Sequence, residues 1–241
     1  MSDVRPPGRK MLTFDSHSPS SAGLAARNHL QAVHQPAVVP FIALRTGEEP
    51  VDQELTLRDA PGEWGLAYAD EVPEDRDVHG VLWQRHTQSL GRSGKPAGPW
   101  LTGQVHPGRL RETMVRLHCP VCNYPAGRSG DGWLFLEPLA AEPVDGRLTT
   151  WPAVCLEHAL TYARYRPDLR DGYTAVRSAE PVLYGVRGRR LRFAGTAFET
   201  AEHDVLLPYE HARGRWIVAE RLVRKLLQTT TVIQAVEVVA G

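Results

Sequence analysis

All three cysteines of this 241-residue chain fall in two short pairs, Cys119-Pro120-Val121-Cys122 and Cys155-Leu156-Glu157-His158. A C-x-x-C turn brings two thiolates onto one cation about 2.3 Å away, and a C-x-x-H pair completes a tetrahedral Cys3His set. The spacing therefore predicts a zinc ion held by Cys119, Cys122, Cys155 and His158. Four protein ligands leave no open coordination position, so this zinc is expected to be structural. His118 competes for the fourth place, but it adjoins Cys119 and is expected to point away from a site shared with Cys122. The odd cysteine count, with no apolar core after the N-terminal charges, points to a reducing, cytoplasmic setting rather than to disulfides.

Between the pairs, Trp133-Leu134-Phe135-Leu136 and Leu148-Thr149-Thr150-Trp151 predict two short strands. The Pro-, Asp- and Gly-rich loop joining them predicts a hairpin. Cys155 then opens a run of helix formers that reaches Tyr165 and is stopped by Pro167. Knuckle, hairpin and helix with the second ligand pair make residues 117–165 resemble the treble-clef zinc fingers. The resemblance covers that segment alone. Its catalytic version, the HNH nuclease, places a histidine on the hairpin as general base with a catalytic metal beside the structural one. Residues 123–154 contain no histidine, and Asp131 and Asp145 are their only aspartates.

A hydrophobic content of 42% supplies a substantial core, so the metal is expected to stabilise one region rather than the whole fold. Lys+Arg and Asp+Glu are both 28, and this zero net charge favours a protein partner over nucleic acid. No apolar run approaches the roughly 18 residues of a membrane span, so no membrane partner is expected. Lysine occurs only at Lys10, Lys95 and Lys225, with arginine elsewhere, a bias associated with GC-rich bacterial genomes.

The chain divides into a polar tail (1–21), an N-terminal α+β region (22–90), a Gly/Pro-rich linker or long loop (91–103), the zinc segment (104–170) and a C-terminal α+β region (171–241). Leu24, His29, Leu30 and Val33 share a candidate helix face, and strands are expected at 38–44, 55–58, 65–68 and 78–85. The acidic connection Asp70, Glu71, Glu74, Asp75 and Asp77 is either a solvated turn or a set of carboxylates for a divalent cation or acid–base work. A helix over 108–117 carries Arg109, Arg111 and Arg116 on one side. After the metal, strands at 173–177 and 182–186 lead into a basic turn, Arg187-Gly188-Arg189-Arg190. With Arg164 and Arg166 this turn forms a candidate basic contact surface. His203-Asp204 and His211 read as loop residues, since no nucleophile elbow accompanies them.

Residues 216–227 present Ile217, Ala219, Leu222, Val223, Leu226 and Leu227 at helical spacing, and the β-branched run 229–239 follows as a strand. The expected architecture is α+β: mostly antiparallel sheets, a central treble-clef-like zinc segment, and a C-terminal amphipathic helix followed by a strand. The corresponding function is a zinc-stabilised accessory or regulatory module that binds protein or nucleic acid. The alternatives are a metal-dependent enzyme such as an HNH-like nuclease, or a biosynthetic accessory enzyme using the acidic stretch 70–77.

Overall fold

Two long strands dominate the computed structural model, which describes residues 38–60, 63–139 and 144–235. The N-terminal tail, the helix face around Leu24 and Leu30, and the last residues of the 229–239 run lie outside that description. Strand β9 (Tyr173–Phe193) pairs antiparallel with β11 (Ile217–Ala235), from Tyr173 opposite Ala235 to Arg190 opposite Ile217. Strands β7 (Gly132–Pro138) and β10 (Phe198–Pro208) share the other edge of β9, β7 along 173–178 and β10 along 185–193. On the far side of β11 lie β4 (Leu82–Trp83), parallel to it, and β8 (Leu148–Thr149), antiparallel. Strand β6 (Arg128–Ser129) extends β7. Two smaller ribbons stand apart from this sheet: β1 (Ala43–Arg45) with β5 (Trp100–Val105), and β2 (Leu55–Ala60) with β3 (Glu63–Tyr68). The described residues all fall within one compact unit.

The β9–β11 ribbon carries core residues on both faces, whereas β10 is largely exposed. Along β7, Leu134 and Leu136 join the main core, while Phe135 turns to a second one with Val176 and Leu226. The main core receives helix α1 (Pro107–Arg116) through Leu110 and Met114, and helix α2 (Ala159–Tyr165) through Tyr162, Ala163 and Tyr165. Cys119 lies in the same core, so the segment carrying the first cysteine pair is part of the packing between helices and sheet.

Three expectations are corrected. The amphipathic helix over 216–227 is instead the first half of β11. Ile217, Ala219 and Leu222 do share a core, but their spacing comes from a β-bulge. Glu220 is the extra residue between the pairs Ala219–Gly188 and Arg221–Arg187, and it converts a period of two into an apparent helical period. Val218 and Leu226 face other cores. Second, Arg187-Gly188-Arg189-Arg190 lies in mid-strand and makes no turn. A Cβ on Gly188 would sit 2.2 Å from the Val218 carbonyl oxygen, so this glycine serves close backbone approach. Third, β7 and β8 do not pair with each other; they lie at opposite edges of the β9–β11 ribbon. That departs from the hairpin on which the treble-clef resemblance was drawn.

Candidate metal centre

Helix α1 delivers the chain to the first cysteine pair. Pro107 occupies the first helical position, where its missing N–H costs nothing, and His106 caps the end by accepting from the Arg109 amide at 3.3 Å. At the other end Leu117 takes a left-handed conformation, φ 53°, which stops the helix and turns the backbone toward Cys119. The buried Arg224 guanidinium of β11 donates to the carbonyls of Met114 at 2.9 Å and Val115 at 3.2 Å. A cation at the carbonyl end of a helix satisfies groups that have no partner within it.

The knuckle itself is a tight loop. The Asn123 amide donates to the Cys119 carbonyl at 2.9 Å, and the Cys119 amide to the Tyr124 carbonyl at 2.8 Å. Asn123 sits at φ 57°, a conformation its short polar side chain tolerates. From outside, the amides of Phe41 and Ile42 donate to the carbonyls of Val121 and Pro120 at 3.0 and 3.1 Å. The second pair is fixed to the sheet, where the Val154 amide donates to the Leu134 carbonyl at 2.9 Å. Cys155 caps a short 3-10 turn, Leu156–His158, that runs into α2.

These anchors bring Cys119, Cys122, Cys155 and His158 together, with one ligand atom from each lying within 4.8 Å of all the others. Cys155 Sγ is 3.5 Å from Cys119 Sγ and 3.0 Å from His158 Nδ1. A tetrahedral ion with bonds of about 2.3 Å needs ligand atoms about 3.8 Å apart, so the group is placed to hold one metal ion. Burial pushes the Cys119 thiol above its ordinary value, and the amides of Cys155, Cys122 and Val121 pull against that shift. Burial likewise raises Cys122, opposed by the Tyr124 amide. Amides aimed at sulfur stabilise thiolates, the form in which cysteine binds metal. His118 is not in the group; its Nδ1 lies 3.4 Å from Asn123 Oδ1.

Most of the other charged residues singled out by sequence have structural occupations. Asp75 and Asp70 pair with Arg85 at 2.5 and 3.1 Å, and Glu71 pairs with Arg76 at 2.7 Å. Asp77 accepts from the amides of His79 and Val81 and from the Trp83 indole. Of the arginines of the expected basic contact surface, Arg166 is fully buried. Arg187, Arg189 and Arg190 stand in ion pairs with Asp204, Glu220 and Glu202 on neighbouring strands. Arg164 is exposed. Of the basic side of α1, Arg109 is buried against Glu48 and Arg111 stacks over Trp83 at 4.2 Å. Sequence reading missed the Glu48–Arg109 pair and the Arg224 cap because their partners lie 61 and 110 residues apart.

No protein-family model matches the chain, and no curated protein or solved structure is similar to it. Among the described residues, no helix is long and apolar enough to cross a membrane.

Proposed function

We propose that Cys119, Cys122, Cys155 and His158 hold one Zn2+ in a closed structural site, and that the surface around it docks a protein segment carrying apolar and acidic side chains. The observation that carries the metal half is the convergence of every cysteine and one histidine, from segments 33 residues apart, on a single point. Three thiolates and an imidazole suit Zn2+ in tetrahedral geometry and leave no place for a substrate.

The docking half is supported by the apolar groups left in solvent beside both ligand pairs. Leu156 is 76% exposed, Leu160 62% and Tyr124 70%. Leu160 and the exposed Arg164 lie four residues apart on α2, and Leu156 sits on the 3-10 turn that leads into it. Nearby, Arg128 lies over the Trp133 ring at 5.0 Å and Arg177 donates to the Gly132 carbonyl at 3.0 Å. Neither contact neutralises the charge. A cationic fringe around apolar groups fits an acidic, apolar peptide. Of the carboxylates of 70–77, Asp70, Glu71, Asp75 and Asp77 are engaged by arginines and amides, which favours neither a cation site nor acid–base chemistry.

Peptide-display selection on the zinc-loaded protein tests the docking half. Selected sequences are expected to mix acidic with apolar residues and to lose binding to Leu160→Asp, which should keep its metal. Selection of basic peptides, or unchanged binding by Leu160→Asp, would refute it.

A further inference from the structure

Away from the metal, the C-terminal end of β7 carries a buried carboxyl that the fold leaves incompletely bonded. Glu137 is 3% exposed, and its Oε1 has no hydrogen-bond partner among the described residues. The hydroxyl of Tyr162, fully buried on α2, is likewise without one. Burial pushes the Glu137 carboxyl above the ordinary carboxylate range, against the pull of Arg166, the Thr149 hydroxyl and Arg147.

The neighbouring cations do not reach it, because each is already occupied. The Arg166 guanidinium makes two bonds to Asp168, at 3.1 and 2.6 Å, and a third to the Leu136 carbonyl at 2.5 Å. It also stacks over Trp151 at 4.3 Å. Arg187 pairs with Asp204, and Arg147 donates to the Pro138 carbonyl at 3.3 Å. Glu137 lines a cavity of about 190 Å³ whose wall includes Thr149, Thr150, Trp151, Asp168 and Arg187. A buried acceptor left without a donor carries an unrecovered desolvation cost, larger for a charged group. A donor that reaches it from the cavity recovers part of that cost.

We propose that this cavity binds a small amine in its ammonium form, with the N–H donors directed to Glu137 and the aliphatic part against Trp151. The lining favours a cation over an anion: Asp168 and Arg187 are each ion-paired, with Arg166 and Asp204, which leaves Glu137 as the charged group of the lining without an ion-pair partner among the described residues. The free atom is a carboxylate oxygen, so the ligand must donate. This reading is independent of the zinc site and of the docking surface.

Amide and indole chemical shifts followed by NMR test it, with ethylammonium chloride as probe, ethanol as the neutral control and sodium chloride at matched ionic strength. Saturable shifts centred on Thr149, Thr150 and the Trp151 indole are expected from the amine alone. Glu137→Gln keeps the shape and removes the charge, and is expected to weaken binding about tenfold while leaving the rest of the spectrum in place. A second variant, Asp168→Asn, is expected to weaken it less. Three outcomes would overturn the proposal: no saturable response, an equal response to ethanol or in Glu137→Gln, or a lone ordered water bridging Glu137 and Tyr162 with no response to amine.

Discussion

Removing the carboxylate of Glu48 is expected to destabilise the protein by about 3–5 kcal/mol. The Glu48 side chain is 0% exposed and that of Arg109 4%. Its two oxygens accept from Arg109 Nη1 at 2.8 Å and Nη2 at 2.7 Å, and from the amides of Arg45 and Ser89 at 2.7 and 2.9 Å. Glu48→Ala therefore strands a buried guanidinium, which keeps only the Ala43 carbonyl at 2.6 Å, and two amides besides. Against a typical total of about 5–15 kcal/mol, that is a large fraction of stability. The pair also fastens α1 to β1 just before the chain reaches Cys119, so the metal region should loosen with it. Urea denaturation at saturating zinc measures the cost. The double variant Glu48→Leu/Arg109→Leu should lose much less than the sum of the two single changes, because it leaves no charge unpaired. A cost under about 1 kcal/mol for Glu48→Ala, or simple additivity, would refute the reasoning.

The same pair predicts a pH dependence. Burial alone would raise the Glu48 carboxyl, but Arg109 and the two amides outweigh it and hold the group at about 2, against an ordinary 4.5. Its stabilisation is thus present above pH 4.5 and lost as the pH falls toward 2, so the stability gap between wild type and Glu48→Gln should close over that window. Arg224→Leu strands the carbonyls at the end of α1 and should cost about 1–3 kcal/mol in the same assay. Gly188→Val forces its new Cβ against the Val218 carbonyl and should cost about 2–4 kcal/mol by thermal unfolding, with far-ultraviolet circular dichroism reporting loss of strand. Cys155→Ser should release metal and loosen residues 117–165 in hydrogen exchange while the β9–β11 ribbon keeps its protection.

What could be read from the sequence was set by short-range chemistry. The two ligand pairs declare themselves because each is a three-residue spacing of residue types that converge on one ion. Helix α1 is legible from Pro107 and its flanking signals, and strand β2 from its alternation. The arginine-rich run at 187–190 misled because Gly188 was read as punctuation, whereas its role depends on Val218, thirty residues away. The C-terminal strand misled because a bulge at Glu220 imitates helical spacing, and the bulge is visible only once β9 lies beside it. The pairing of β7 with β9 and of β8 with β11 is likewise a property of segments distant in sequence that the fold brings together. Nothing within residues 119–158 encodes which edge each strand joins.

The account rests on one metal ion held by four named side chains. Elemental mass spectrometry of the purified protein, wild type beside His158→Ala, tests it most directly. One zinc per chain in the wild type, clearly diminished in the variant, is the predicted result. No zinc in the wild type, or a full complement retained by His158→Ala, would contradict it.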